Sequence, residues 1–294
     1  MKRSVALALT LIMVGSTLVV GSAAAEAGSV SRGGRLYDKW WKETGADAPT
    51  TDHLLWPTQS TNTRSGDDTW RCKECHGWDY LGKDGAYGSG SHFTGFPGVY
   101  DAAQTKSVEE LAAALKGATN PDHDFSSVLD DAAINDLATF LKEGLVDARP
   151  YIDYDTKAPI SADVSHGTQL YDTVCAACHG ADGTVINFGD EEEPEYVGTL
   201  ANDNPQETLH KERFGHPGSA MPATVDLGWS VQDAVDVMAY AQTLPTGEAP
   251  VILPETGGEP LLLGYQPLLL AGLALVALGL SLLGFQRVVR RVRP

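Results

Sequence analysis

Two short segments of the chain carry residues whose types and spacing suit one particular covalent chemistry. Each segment has two cysteines three positions apart and a histidine directly after the second cysteine. These residues are Cys72, Cys75 and His76 in the first segment, and Cys175, Cys178 and His179 in the second. Two thiols at this spacing can add across the vinyl groups of a haem, and the adjacent histidine then reaches the iron from one face. We therefore expect two covalently bound haem c groups.

The cysteine count limits the alternatives to this chemistry. The chain has four cysteines in all, so the two segments use every one of them. Disulfides and a zinc site are other uses for four cysteines, but a zinc site would need the two pairs assembled together. The histidine directly after each pair favours haem attachment over both.

The charges of the chain are unevenly distributed along its length. The net charge is -18, from 21 basic and 39 acidic residues. Six of the basic residues and none of the acidic ones lie before residue 26 or after residue 260. The acidic body repels nucleic acid and suits redox protein partners with basic surfaces. Solubility alone would also account for this charge.

The first 25 residues have the organisation of a secretory signal peptide. Lys2 and Arg3 form a basic start, an uncharged apolar run follows, and the small residues of "SAAAEA" provide a cleavage site after Ala25. We expect residues 1–25 to be removed on export, which places the body outside the cytoplasm. An uncleaved membrane anchor is the alternative.

A second hydrophobic run, from Leu261 to Phe285, has no charge and precedes a basic tail at 287–294. Twenty-five helical residues rise about 37 Å, enough to cross a hydrocarbon core of about 30 Å. Basic residues beside a span stay on the cytoplasmic side. We therefore predict a transmembrane helix at 261–286, with the body at the outer face of the cytoplasmic membrane.

The segment "LPETGG", Leu253 to Gly258, lies in a stalk predicted at 247–260. An LPxTG sequence followed by a hydrophobic span and a basic tail resembles a cell-wall sorting signal. The resemblance implies that a sortase cuts between Thr256 and Gly257 and attaches the body to the cell wall. The alternative is a stalk that leads to a permanent membrane anchor.

An internal repeat accompanies the two cysteine segments. "GRLYDKWW" begins at Gly34 before the first segment, and "GTQLYDTVC" begins at Gly167 and runs into the second. With these repeats and the two haem motifs, residues 31–248 resemble a dihaem c-type cytochrome built from tandem class I cytochrome c domains. The resemblance implies a mainly α fold with domains at 31–148 and 165–246, joined by a linker at 149–164.

Each half has the sequence pattern of further helices after its haem motif. Ser107 and Glu110 form a capping box in "SVEELAAALKG", and Asn204 and Pro205 suit the first turn of "NPQETLHKERFG". The last helices are "DDAAINDLATFLKEG" and "SVQDAVDVMAYAQTL", whose spaced apolar residues are predicted to be core. Before Trp70 the first half also inserts about thirty residues with the composition of a loop.

The resemblance implies that a methionine on the loop between the two later helices is the sixth ligand of the iron. In the second half "GSAMP" places Met221 there, whereas Met238 lies among apolar residues of the last helix and is predicted to be core. Methionine opposite histidine raises the potential of a haem. Three histidines of this half are predicted to have other roles: His166 near a helix start, His210 solvated within a helix, and His216 misplaced for the iron.

The first half has no methionine between residues 26 and 150, so its iron has a histidine or another sixth ligand, or an open position. His123 is six residues past Gly117, just as the methionine of the second half is six residues past its helix-ending glycine. His123 is therefore the predicted ligand. His92, in a glycine-rich loop, is the alternative, and His53 is predicted to lie at the surface.

These expectations describe an electron carrier of a respiratory or photosynthetic chain. A haem with two histidine ligands has a lower potential than one with histidine and methionine, so electrons would pass from the first haem to the second. No catalytic residue is assigned. The alternative is a dihaem redox enzyme, such as a peroxidase, with an open or displaceable ligand at the first haem. A third alternative is a haem-based sensor.

Overall fold

The computed structural model describes residues 28–247 of the chain. The predicted signal peptide, the segment "LPETGG", the predicted transmembrane helix and the basic tail lie outside these residues. Within residues 28–247, no helix is long and apolar enough to span a membrane.

The described residues are mainly helical and contain no strand, only three isolated bridges. This confirms the predicted mainly α class. The helices are α1 Val30–Thr44, α2 Cys72–His76, α3 Tyr100–Thr105, α4 Val108–Leu115, α5 Asp131–Thr139, α6 Val164–Leu170, α7 Ala176–His179, α8 Val197–Asp203, α9 Pro205–Phe214 and α10 Val231–Ala241. Short turns of π-helix extend α5 through Phe140–Gly144 and join α6 to α7 through Tyr171–Cys175.

The ends of the helices follow from the capping residues. Ser107 accepts a hydrogen bond from the Glu110 N–H, and the Glu110 side chain accepts one from the Ser107 N–H, so the predicted capping box is confirmed. In α9, Pro205 occupies the first turn and Gly215 follows the last residue with φ +84°. Asn204 precedes α9 as predicted, but its side chain makes no capping hydrogen bond.

Both halves bring their first and last helices together at a glycine. A Cβ atom on Gly33 would lie 2.2 Å from the Asp136 carbonyl oxygen, and one on Gly167 would lie 1.9 Å from the Asp236 carbonyl oxygen. Only glycine lets the two backbones approach this closely. The repeat seen in the sequence is therefore also a repeat of helix packing. The helix contacts make Gly33 the structural equivalent of Gly167, whereas the sequence repeat aligned Gly34 with Gly167.

The cores agree with the apolar patterns of the last helices. Ile134, Leu137 and Phe140 are buried beside α1, and Met238 is fully buried in α10, as predicted. The inserted segment of the first half forms only two short 3-10 turns, at Trp56–Thr58 and Gly66–Trp70, which fits the loop predicted there.

The two halves share one core rather than meeting only through the linker. Phe214 at the end of α9 is fully buried and packs among the aromatic residues of the first half. His210, one turn earlier, is 2 % exposed, and it hydrogen-bonds the Tyr80 hydroxyl at 2.8 Å and the Gly34 carbonyl at 3.0 Å. The prediction that His210 is solvated was therefore wrong. Residues 28–247 belong to one compact unit.

Candidate haem sites

The first haem motif is held against α1 by buried charges and a tyrosine. Arg71, directly before α2, forms an ion pair with Asp38 of α1 and donates a second hydrogen bond to the Asp38 carbonyl at 3.0 Å. Tyr37, also in α1, donates its hydroxyl to the Gly77 carbonyl at 2.7 Å. Since Gly77 directly follows His76, these contacts fix both ends of α2.

The second haem motif is held by the equivalent tyrosine. Tyr171 donates its hydroxyl to the Gly180 carbonyl at 3.1 Å, and Gly180 directly follows His179. Tyr37 and Tyr171 each lie four residues past the glycines at which the first helices cross the last ones. A tyrosine at the equivalent position therefore positions each motif. The two halves differ in the chain that follows, since the second half continues through a turn of π-helix to Cys175 without the inserted loop of the first half.

His76 is oriented as an iron ligand requires. Its ring is half-buried and lines the first cavity, and Nδ1 lies 2.7 Å from the Pro97 carbonyl oxygen. A carbonyl can only accept, so Nδ1–H donates and Nε2 keeps the lone pair that a metal would bind. Burial, opposed in part by this hydrogen bond, lowers the pKa of His76 to about 4, which keeps the ring neutral.

His123 lies across the cavity from His76. The centroids of the two imidazole rings are 6.2 Å apart and their planes meet at 75°. Two imidazoles on opposite faces of one metal, each with a metal–nitrogen bond of about 2 Å, would have centroids about 6 Å apart. The His123 ring also has a hydrogen bond to the backbone of Ala114, which raises its pKa against the larger lowering effect of burial. This geometry suits His123 as the second axial ligand.

His53 also lines the first cavity, so the prediction that it lies at the surface was wrong. Its ring is 6 % exposed, stacks on Phe125 at 5.3 Å, and meets the edge of Trp70 at 4.7 Å. The Leu55 N–H donates to His53 Nδ1 at 3.2 Å. A neutral ring therefore carries its proton on Nε2, and that nitrogen has no free lone pair for a metal.

His92 lies outside the residues that line the first cavity. Its ring stacks on Tyr87 with centroids 4.3 Å apart, and its Nε2 lies 3.2 Å from an Arg64 nitrogen. Beside it is Glu74, the residue before Cys75, which is fully buried and pairs with Arg64 at 2.8 Å and Lys73 at 3.0 Å. His92 thus belongs to a buried charge cluster rather than to the cavity.

The second cavity has a volume of about 480 Å³ and contains both predicted ligands of the second iron. Cys175, Cys178 and His179 line this cavity, and so does Met221, in the loop after α9. His216 also lines this cavity. The structure therefore brings Met221 to the same cavity as His179, the position that the resemblance implies for a sixth ligand.

Several buried polar atoms in the second cavity lack partners. His179 Nδ1, unlike the same atom of His76, has no hydrogen-bond partner among residues 28–247. The same holds, in the described part of the chain, for Thr208 Oγ1, Thr224 Oγ1 and Glu212 Oε2. Glu212 is buried, and burial raises its pKa well above the usual carboxyl range. No sequence signal marked Glu212, since it stands in the charged run "HKERF".

The residues present fit a covalently attached haem at each site. All four thiols are free, with no disulfide in the described region, and the Cys72 and Cys175 thiols both lie against their cavities. The second cavity has the larger volume, whereas the first is about 50 Å³. The fit at the first site therefore depends on its thiols and its two facing imidazoles, not on volume.

Comparison with known proteins bears on the second half of the chain. Residues 164–245 match the family model for cytochrome c. The match begins at α6, ends beyond α10, and includes Cys175, Cys178, His179 and Met221. No curated protein and no solved structure matches the chain.

The match and the geometry together define a cytochrome c domain in the second half. Covalently bound haem c and haem-based electron transfer are the chemistry of such a domain, and the helical structure of the described residues is consistent with it. The first half lies outside the match, so its assignment depends on its own thiols, Cys72 and Cys75, and on the facing imidazoles of His76 and His123.

Proposed function

We propose that the chain is an anchored, extracytoplasmic dihaem cytochrome c that passes single electrons between redox proteins. One observation carries the proposal. Each Cys-x-x-Cys-His segment faces a cavity that also contains a second axial donor, His123 in the first half and Met221 in the second. Six-coordinate iron of this kind exchanges electrons without binding a substrate.

The two donor sets favour one direction of electron flow. A bound haem c would supply an iron that cycles between the ferric and ferrous states. Two imidazoles, His76 and His123, give a lower potential than the imidazole of His179 with the thioether of Met221. The first centre would therefore reduce the second, and the second would pass the electron to a partner.

The shared core of the two halves supports electron transfer within one chain. His210 and Phe214 of α9 are buried against the aromatic residues of the first half, so the two centres have a fixed relation. Trp78, two residues past His76, lies 4.9 Å from the His210 ring. Electron transfer from the first haem to the second would thus not require domain movement.

The proposed location rests on the two hydrophobic segments of the sequence, and the proposed partners rest on its net charge. A signal peptide at 1–25 and a transmembrane helix at 261–286 would hold the body at the outer face of the cytoplasmic membrane. Cleavage between Thr256 and Gly257 would instead transfer it to the cell wall. The net charge of -18 favours basic redox partners in a respiratory or photosynthetic chain.

The peroxidase alternative at the first haem is less well supported than electron transfer. It requires an open or easily displaced sixth position. His123 faces His76, has a hydrogen bond to the backbone of Ala114, and packs against Phe125 with ring centroids 5.1 Å apart. These contacts hold the ligand in place rather than release it.

Replacing Cys72 and Cys75 together by serine is expected to lower the covalent haem content from two per chain to one, because serine cannot form the thioethers. The paired change of Cys175 and Cys178 to serine is the matched control, and should also leave one haem. The pyridine haemochrome assay and intact mass measure the content. Each variant should also lose one of two low-spin signals in ferric EPR.

A wild-type chain with a single haem attached in the second half would contradict the dihaem proposal. A wild type with two haems, one of them high-spin in the ferric state, would contradict the carrier proposal and favour an enzyme. Near-infrared magnetic circular dichroism separates the cases, since bis-histidine and histidine–methionine haems give different charge-transfer bands.

A further inference from the structure

Asp38 is a buried carboxylate that contacts cations from both haem cavities. It lies in α1 and is 1 % exposed. Its side chain forms an ion pair with Arg71, which lines the first cavity, and its Oδ2 lies 3.8 Å from Nζ of Lys211, which lines the second. Arg71 directly precedes the first haem motif, and Lys211 belongs to α9. One side chain of the first half therefore connects the two candidate haem sites.

The internal repeat contains a second aspartate at the same position, but that one is exposed. Asp38 is five residues past Gly33, and Asp172 is five residues past Gly167, the glycines at which the first helices cross the last ones. Asp172 is exposed to solvent, whereas Asp38 is covered where α9 of the second half packs on α1. The burial of Asp38 is thus a consequence of the way the two halves pack and not of the repeat itself.

Asp38 is the acid that the two cations have in common. Arg71 also pairs with Asp68 at 3.3 Å, an aspartate whose side chain is 43 % exposed. Lys211 also pairs with Glu207 at 2.9 Å, one turn earlier on α9. In the described part of the chain, neither of these acids forms an ion pair with both cations. Removing the charge of Asp38 would therefore change the balance of charge at both cavities at once.

The charge of Asp38 is placed to act on both centres more strongly than a surface charge would. Burial would raise the pKa of Asp38, but Arg71 and Lys211 lower it to about 2, so the group is a carboxylate at neutral pH. Water and salt screen buried charges much less than exposed ones. Oxidised haem iron has one more positive charge than reduced iron, so a nearby carboxylate stabilises the oxidised form and lowers the midpoint potential. Nearby cations raise it by the same argument.

We propose that Asp38 is a positioning residue for both haem centres, whose carboxylate offsets the charges of Arg71 and Lys211 and so lowers the two midpoint potentials together. This inference rests on the proposed function, because it needs a haem at each centre. Since both potentials move in the same direction, the difference between them, which drives electrons from the first centre to the second, changes less than either potential does.

The test is potentiometric titration of the haem-loaded full chain, with each haem followed by its own spectroscopic signal. Asp38→Asn keeps the size of the side chain and an oxygen that can accept from Arg71, but it removes the charge. Both midpoint potentials are expected to rise, the first by more because Asp38 contacts Arg71 more closely than Lys211. The equilibrium constant for reduction of the first haem should increase roughly tenfold, the effect of one poorly screened charge over on the order of 10 Å.

The near-infrared methionine-to-iron charge-transfer band separates this effect from a structural one. If Asp38 acts through its charge, Asp38→Asn keeps the band while both potentials rise. If Asp38 only stabilises the packing of the two halves, its replacement would weaken the band and lower the second potential, because the thioether of Met221 is what holds that potential high.

Lys211→Gln tests the same connection from the other side. It removes a cation that lines the second cavity, so the second potential should fall. The carboxylate of Asp38 is then opposed by one cation fewer, so the first potential should fall as well, by a smaller amount. This variant keeps the inference testable if Asp38→Asn does not fold.

Asp172→Asn is the matched control, since it makes the same change at the equivalent position of the repeat. Asp172 is exposed, so water screens its charge, and neither potential should shift by more than a small fraction of the effect at Asp38.

Four results would overturn the inference. Asp38→Asn shifts neither potential or only one, Asp38→Asn loses the methionine-to-iron band and lowers the second potential, Asp172→Asn shifts both potentials as much as Asp38→Asn does, or Lys211→Gln leaves the first potential unchanged. Failure of the proposed function is seen before any substitution is made, because the wild type would then lack one of the two haems or one of the two low-spin signals.

Discussion

Replacing His123 by methionine is expected to raise the midpoint potential of the first haem by on the order of 0.2 V, a part of the ~0.8 V span over which axial ligands set haem potentials. The reason is that a thioether stabilises ferrous iron more than an imidazole does. His123 is placed for this exchange because its ring lies 6.2 Å from that of His76 across the first cavity. Potentiometric titration of the two haems measures the change.

The converse change provides the first control. Met221→His should lower the potential of the second haem and remove the methionine-to-iron charge-transfer band in the near infrared. In the double variant, with His123→Met as well, the two potentials should exchange order. Electrons would then flow from the second haem to the first.

His92→Met is the matched control within the first half. His92 is also a histidine of the first half, but it stacks on Tyr87 outside the cavity, so its replacement should change neither potential by more than a small fraction of the effect at His123. A shift in His92→Met with none in His123→Met would mean that His92 is the ligand. No shift in either would mean that the first iron has no histidine in its sixth position.

The helices and their caps could be predicted because their signals are local. The capping box spans only the four residues from Ser107 to Glu110. The glycine that ends α9 directly follows the last residue of that helix. The same is true of the two haem motifs, which define the attachment chemistry without reference to the rest of the chain. Local patterns also predicted most of the core of the last helices, where Ile134, Leu137, Ala234 and Val237 are buried, although Tyr240, predicted to be core, is only half-buried.

The burial of His53 and His210 could not be predicted because it depends on distant partners. The Nδ1 of His53 accepts a local N–H, but its ring is buried by Phe125, which is 72 residues away in the sequence. His210 has its partner Tyr80 in the other half of the chain. His210 stands in polar sequence, where composition indicates a surface, and His53 lies in a segment with the composition of a loop. No local pattern indicates which of these residues a distant part of the chain will cover.

The position of Glu212 illustrates a related limit. The run "HKERF" predicts a charged helix face, yet in the structure His210, Glu212 and Phe214 are all buried. Helix α9 lies between the core of the first half and the second cavity, so two of its faces are covered. A helix with two buried sides does not show the single apolar stripe on which sequence interpretation depends.

His210 provides a direct test of whether the two halves unfold together. Its Nε2–H donates to the Gly34 carbonyl at 3.0 Å, and its Nδ1 accepts from the Tyr80 hydroxyl at 2.8 Å. Both partners belong to the first half, and His210 itself is 2 % exposed. Removing the ring would therefore leave a buried carbonyl and a buried hydroxyl unpaired at the junction of the halves.

His210→Leu is expected to lower the free energy of unfolding at pH 7 by roughly 2 to 6 kcal/mol, the cost of two unpaired buried groups.

The effect should also depend on pH. Burial lowers the pKa of His210 to about 4 from 6.5, so between these values only the unfolded chain binds the proton and acid destabilises the wild type. This contribution is absent in the variant, so the difference between the two proteins should shrink by roughly 2 kcal/mol at pH 5. Urea unfolding of the haem-loaded proteins measures both quantities. His166→Ala is the control, because the His166 side chain is largely exposed, and it should lower the free energy of unfolding far less than His210→Leu does. Two separate unfolding transitions in the wild type, with His210→Leu shifting neither, would show instead that the halves unfold independently.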